Sequence, residues 1–140
     1  MYSQTRSRKG GYACSMPRRT IQQEAVWDVL ASSDGPLLPE EILERAQEDC
    51  PTLGQATVYR ALKRLEAEAQ VERVIDLDGR ARFEVGQDHH HHFHCRSCDR
   101  VFDVPGCSVK STKALNPKLP KGFALEGHEV WLRGLCASCA

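Results

Sequence analysis

Apolar residues recur at helical spacing three times in the first half of the chain, after which the period changes to two. Ile21, Ala25, Val26, Val29 and Leu30 form the first stripe, and Thr20-Ile21-Gln22-Gln23 has the form of a capping box, so a helix is expected to start there. Asp34-Gly35-Pro36 breaks it. Pro39, suited to a first helical turn, opens a second helix with Ile42, Leu43 and Ala46 inward. A third helix is expected over residues 55–69, with Gly54 as N-cap and Leu53 and Val58 as a hydrophobic staple. Its buried face would be Val58, Ala61, Leu62, Leu65 and Ala69. Val71 to Leu77, Asp78-Gly79, and Arg80 to Val85 then read as a β-hairpin around an Asp-Gly turn.

Three short helices followed by a hairpin is the order of a winged helix-turn-helix, whose third helix enters the major groove while the hairpin flanks the backbone. The outer face of residues 55–69 carries Ala56, Tyr59, Arg60, Lys63 and Arg64. Alone, that face fits a solvated surface equally well; the hairpin that follows favours DNA. Tyr59 and Arg60 are the candidates for base edges, because a guanidinium reads guanine and a ring can contact a thymine methyl. Lys63 and Arg64 suit phosphates, and Arg80 and Arg82 on the hairpin would meet phosphates too.

Beyond Gly86-Gln87-Asp88 the pattern becomes β-rich. His92 to Cys98 and Arg100 to Val104 read as paired strands around a Cys-x-x-Cys turn, and residues 107–116 as a short helix stopped by Asn116-Pro117. Phe123 to Glu126 and Glu129 to Leu135 read as two further strands. The expected class is α+β: a winged-helix DNA-binding domain over residues 1–86, whose residues 1–16 form a flexible basic tail, then a small α/β dimerisation domain with structural zinc over 87–140. Some 54 residues are too few for a self-sufficient core, and a metal staple and a dimer interface are the usual remedies.

Charge changes this picture little. The formal net charge is zero, so DNA affinity must come from local patches. One such patch is the N-terminal stretch with Arg6, Arg8, Lys9, Arg18 and Arg19 and no acid, from which Arg18 and Arg19 join the DNA-contact candidates. No apolar run approaches the ~20 residues of a membrane span, and the first residues lack a signal-like apolar core, so a cytoplasmic location is expected. Seven cysteines in a reducing compartment then point to thiols or metal ligands rather than disulfides.

Metal chemistry is concentrated in His89-His90-His91-His92-Phe93-His94-Cys95-Arg96-Ser97-Cys98 and in Cys136-Ala137-Ser138-Cys139. Cys95, Cys98, Cys136 and Cys139 supply two thiol pairs, and four thiolates complete the closed tetrahedron of a structural Zn²⁺ site. In an extended strand His90 and His92 share one face, where they could gather Glu84 and Asp103; His89 and His91 share the other, where they could meet His128. Cys14, Cys50 and Cys107 have no partner at metal spacing, although Cys107 lies near the His strand. A zinc hydrolase is disfavoured, since the four-cysteine set leaves no open position and there is no HExxH helix, so no enzyme is expected. A metal buffer or chaperone that never touches DNA is the rival from another class, against which the cationic helix face weighs.

Ala56-Thr57-Val58-Tyr59-Arg60, the Arg82-Phe83-Glu84 strand, the His/Cys block and the terminal Cys-x-x-Cys together resemble the ferric uptake regulator family over roughly residues 17–139. The resemblance implies a homodimeric, metal-activated transcriptional regulator, usually a repressor, that controls metal homeostasis genes and binds an inverted-repeat operator through the third helix. It implies structural zinc at Cys95, Cys98, Cys136 and Cys139, a regulatory site at Glu84, His90, His92 and Asp103, and an additional site at His89, His91 and His128. Two departures stand out: residues 1–88 contain no His to join the regulatory site from just before the second helix, and Lys110 stands at the position of the acidic ligand sometimes used by the additional site. Nitrogen and carboxylate ligands suit Fe²⁺ or Mn²⁺, with Zn²⁺ sensing as the alternative.

Overall fold

A computed structural model of the chain describes residues 20–107 and 118–140. Helix α1 spans Ile21–Ala31, α2 Pro39–Asp49 and α3 Gln55–Ala67. The Thr20 hydroxyl accepts from the Gln23 amide while the Gln23 side chain accepts from the Thr20 amide, completing the expected capping box. Ala25, Val26 and Leu30 turn inward, but Ile21 is 84% exposed. At 100° per residue it stands roughly 120° from the centre of that face, so it belongs to the cap and not to the stripe.

Helix α3 ends two residues earlier than its apolar pattern suggests. Ala69 adopts a positive φ of 54°, and the Gln70 amide donates to the Leu65 carbonyl, a Schellman stop. Strands β1 (Val71–Ile75) and β2 (Ala81–Val85) pair antiparallel. The connecting loop is longer than an Asp-Gly turn, because the carboxylate of buried Asp76 accepts from the Asp78 and Arg80 amides and pulls the chain out of the ladder. Gly79, at φ 82°, supplies the left-handed residue there. Leu37 adds two backbone hydrogen bonds to Phe83, tying the α1–α2 loop to β2.

Strands β3 (His91–Cys95), β4 (Val101–Val104) and β5 (Trp131–Gly134) form a second sheet ordered β4-β3-β5. β3 and β4 pair antiparallel as expected, whereas β5 runs parallel to β3. Phe123 to Glu126 is not a strand. The helix expected over 107–116 and the tail with Cys14, Arg18 and Arg19 lie outside the described residues, apart from Cys107.

The two lobes are held differently. Among the described residues, the hydrophobic cluster from Ala25 to Phe83 lies entirely in the helices, β1, β2 and their loops. The buried residues of the second sheet are His91, His92, His94, Cys95 and Val101. Four of those five are polar or thiol side chains, which is where a small lobe would rely on metal for cohesion.

Candidate metal centres and nucleic-acid face

Pleating alone sorts the histidines. On β3 and the residue before it, His90 and His92 share one face, and the β3–β4 register sets Asp103 opposite His92. Glu84 reaches them from β2. His90 Nε2 lies 3.0 Å from Glu84 Oε1, His92 Nε2 3.2 Å from Glu84 Oε2, and the two Nε2 atoms are 3.1 Å apart. Asp103 Oδ1 stands 3.6 and 3.8 Å from the same two nitrogens and, buried, has no hydrogen-bond partner. One ligand atom from each of the four residues fits within 4.8 Å of the others, and the donor set suits a divalent cation.

The electrostatics of this group are unbalanced. Burial pushes Glu84 up, but His92 and His90 outweigh it and hold the carboxyl below its usual range. Burial, reinforced by the charge of Glu84, raises Asp103 despite the hydrogen bond from Gln87. For His90, burial opposes protonation, yet the Asp88 carbonyl and Glu84 raise it. The His92 ring lies 4.8 Å from that of Trp131, which fixes its plane.

The α1–α2 loop meets β4 through its backbone. The Asp103 amide donates to the Asp34 carbonyl at 2.8 Å, and a Cβ on Gly35 would collide with the Val101 carbonyl. A polar side chain beside the four ligands is Gln87, whose Nε2 donates to Asp103 Oδ2 at 2.8 Å and lies 3.3 Å from His90 Nε2.

Cys95, Cys98, Cys136 and Cys139 converge at the other end of β3, with sulfurs within 4.8 Å of one another and the Cys98 and Cys136 sulfurs 3.8 Å apart. The Cys98 and Cys136 amides hydrogen-bond Cys95 and, against burial, lower its pKa to about 6. Hydrogen bonding with Cys136, and burial, raise Cys139 to about 11. Four thiols in one place cannot all ionise unaided, and a tetrahedral Zn²⁺ would supply the charge that lets them.

The opposite face of β3 carries the remaining histidines. His89 Nε2 and His128 Nε2 lie 3.2 Å apart and His91 belongs to the same group, as the strand alternation suggests. Cys107, which has no spacing partner in the sequence, joins them with its sulfur 3.1 Å from His128 Nε2. A fourth grouping, Asp78, His94 and Asp99, is already occupied: Arg80 donates to both Asp99 oxygens at 2.6 Å.

Residues 15–133 match the family model described as the ferric uptake regulator family. The chain belongs to that family. It is similar to the ferric uptake regulation protein of Bordetella parapertussis, 31% identical over 141 residues that cover 99% of this chain and 97% of the relative. Among solved structures it resembles a zinc-bound manganese uptake regulator, with 26% identity, a TM-score of 0.71 and coverage of 86% of this chain and 91% of that one. It also resembles the Vibrio cholerae ferric uptake regulator, with 26% identity, a TM-score of 0.66 and coverage of 85% and 92%.

Ferric uptake regulators are DNA-binding dimers that act on transcription in response to metal, and the residues expected to meet DNA lie on the outer face of α3. Tyr59, 45% exposed, stands there with exposed Arg60 and Lys63. Arg64 differs: it is half-buried, pairs with Glu68 at 2.9 Å and reaches Gln23 at the start of α1. The hairpin arginines require a larger correction. Arg82 is fully buried, with Nε on Asp76 at 2.8 Å, one terminal nitrogen on Glu41 at 3.2 Å and the other on the Asp99 carbonyl at 2.8 Å. Its donors are committed within the protein, so it is withdrawn from the DNA-facing set. Arg80 is largely committed too, to Asp76 and Asp99, and those partners raise its pKa well above the ordinary guanidinium value.

Proposed function

We propose that this chain is a metal-switched, DNA-binding repressor of metal homeostasis genes, which as a homodimer grips an inverted-repeat operator in the cytoplasm. Tyr59 and Arg60 read base edges, Lys63 neutralises phosphate, and Arg18 and Arg19 extend the contact from the tail. No helix among the described residues is long and apolar enough to cross a membrane. No catalytic role is proposed.

The observation that carries this reading is the place of Glu84. It closes the hairpin of the helical lobe, while His90, His92 and Asp103 belong to the second sheet. The four ligands therefore straddle the joint. Without a cation, two carboxylates face two imidazoles and Asp103 Oδ1 is left without a partner. A bound divalent ion would supply the positive charge that makes the four ligands one unit. Glu84 then fixes the angle at which α3 of each protomer meets DNA. A coupling of about 1–3 kcal/mol, the usual allosteric range, corresponds to roughly 5- to 150-fold in DNA affinity.

Two carboxylates and two imidazoles suit Fe²⁺ or Mn²⁺. Zn²⁺ sensing is the second reading, because a set of four is also what tetrahedral zinc takes. In the test, His90→Ala/His92→Ala protein should keep its four-cysteine zinc and its dimeric mass yet bind operator DNA equally with and without added Fe²⁺ or Mn²⁺. A double variant that retains the metal response removes this site from the switch. Wild-type protein that binds metal but shifts no DNA would instead make the chain a metal buffer.

A further inference from the structure

The face of β3 turned away from the joint holds a group that the switch does not use. His89 and His91 come from the β3 segment, His128 from the segment before β5, and Cys107 from the loop after β4. The thiol arrives there for a local reason. Val104 is the partner of His91 across the β3–β4 ladder, and two residues later Gly106 takes a φ of 80°, a conformation few side chains tolerate. That turn brings Cys107 back towards the histidines, with Sγ 3.1 Å from His128 Nε2.

The rings crowd one another as ligands do. The His89 centroid is 4.7 Å from those of both His91 and His128, and His91 and His128 are 5.3 Å apart. His91 is only 4% exposed; its Nδ1 faces the Val130 amide at 3.2 Å, and its Nε2 is buried without any partner. A buried imidazole nitrogen with nothing to bond is destabilising, so a purely structural role is a poor account of this residue.

We propose that Cys107 completes a separate, thiolate-bearing metal site with His89, His91 and His128, which takes Zn²⁺ in preference to Fe²⁺ or Mn²⁺. Three neutral imidazoles and one thiolate fill a tetrahedron and leave a single net positive charge on the zinc. The sulfur makes the set softer than Glu84, His90, His92 and Asp103, whose carboxylates favour harder cations. One strand thus presents two sites of different preference on its two faces. This inference goes beyond the regulatory reading and does not depend on DNA binding.

The test uses full-length protein with zinc retained at the four cysteines, titrated with Co²⁺ as a spectroscopic stand-in for Zn²⁺. Wild type should develop a near-ultraviolet thiolate-to-cobalt charge-transfer band while its original zinc stays bound. Cys107→Ser should lose that band, and its zinc affinity at this site should fall by about 10–100-fold or more. Cys107 is exposed, so its loss should leave the fold intact, as circular dichroism would verify. His90→Ala/His92→Ala should keep the band, which separates this site from the joint. A wild type without the band, or a Cys107→Ser protein that retains it in full with its zinc still in place, overturns the proposal.

Discussion

Two sets of charged side chains cross the joint between the helical lobe and the β-rich lobe, and their charges are balanced in opposite ways. In one, Arg80, just before β2, and Arg82 within it meet Asp76, Glu41 and Asp99, so permanent cations answer the carboxylates at 2.6–3.2 Å. In the other, Glu84 of β2 and Asp103 meet His90 and His92, with the neutral Gln87 amide on Asp103. Guanidinium is always charged, whereas imidazole near neutrality is charged only in part. The first set is therefore a finished latch that needs nothing from solution. The second is open, and in the proposed reading a divalent ion closes it. Two residues of spacing on one strand decide which is which.

That contrast breaks most visibly at Arg82. Arg82→Met takes one of its two guanidinium partners from the buried Asp76 carboxylate and leaves it Arg80 and two backbone amides, so the loss should lie towards the lower end of the about 3–5 kcal/mol for a broken buried pair. Urea unfolding should show this loss equally with and without Mn²⁺; a loss that vanishes on adding metal would mean that the latch and the metal site are not separate.

The open latch should show the converse behaviour. Mn²⁺ at 100 times its dissociation constant should raise the unfolding free energy of wild type by about 2.7 kcal/mol, and that of Glu84→Ala/His90→Ala by far less. Equal gains in the two proteins would place the stabilising ion elsewhere.

Acid gives the finest comparison. Burial pushes Asp76 up, but hydrogen bonds from Arg82, from the Arg80 and Asp78 amides and from the Arg80 side chain win, and its pKa falls from 3.8 to about 2. Because the folded value lies below the unfolded one, its contribution is fully present above pH 3.8 and is lost as pH falls through 2. The shift corresponds to about 2 kcal/mol. Asp99 is held low chiefly by the bond from Arg80 and acts in the same direction. Stability measured between these pH values should therefore decline in wild type, and decline less steeply in Asp76→Asn; identical slopes would show that Asp76 does not draw its stabilisation from the arginines.

What was legible in the chain was what local chemistry decides. Helical stripes, the capping box and the pleat that sorts His90 and His92 from His89 and His91 all depend on neighbours a few residues apart. Cys95 and Cys98, brought together with Cys136 and Cys139, show that a repeated short spacing can also betray a distant meeting. The failures are non-local. Nothing in an Arg-Ala-Arg strand tells whether its cations face phosphate or lie buried against Asp76, because that depends on a loop folded back by a carboxylate. The parallel pairing of β5 with β3 and the absence of a strand at Phe123 to Glu126 are set by packing rather than by pattern. Cys107 was the hardest, since Gly106 and not a repeated spacing brings it to the histidines.

The central claim is that the cation at the joint sets the grip on DNA. It is tested most directly by operator affinity measured on one preparation, with zinc retained at the four cysteines, before and after loading Glu84, His90, His92 and Asp103 with Fe²⁺ or Mn²⁺. The account predicts tighter binding of the loaded form by roughly 5- to 150-fold. Equal affinity of the two forms for the same duplex would contradict it.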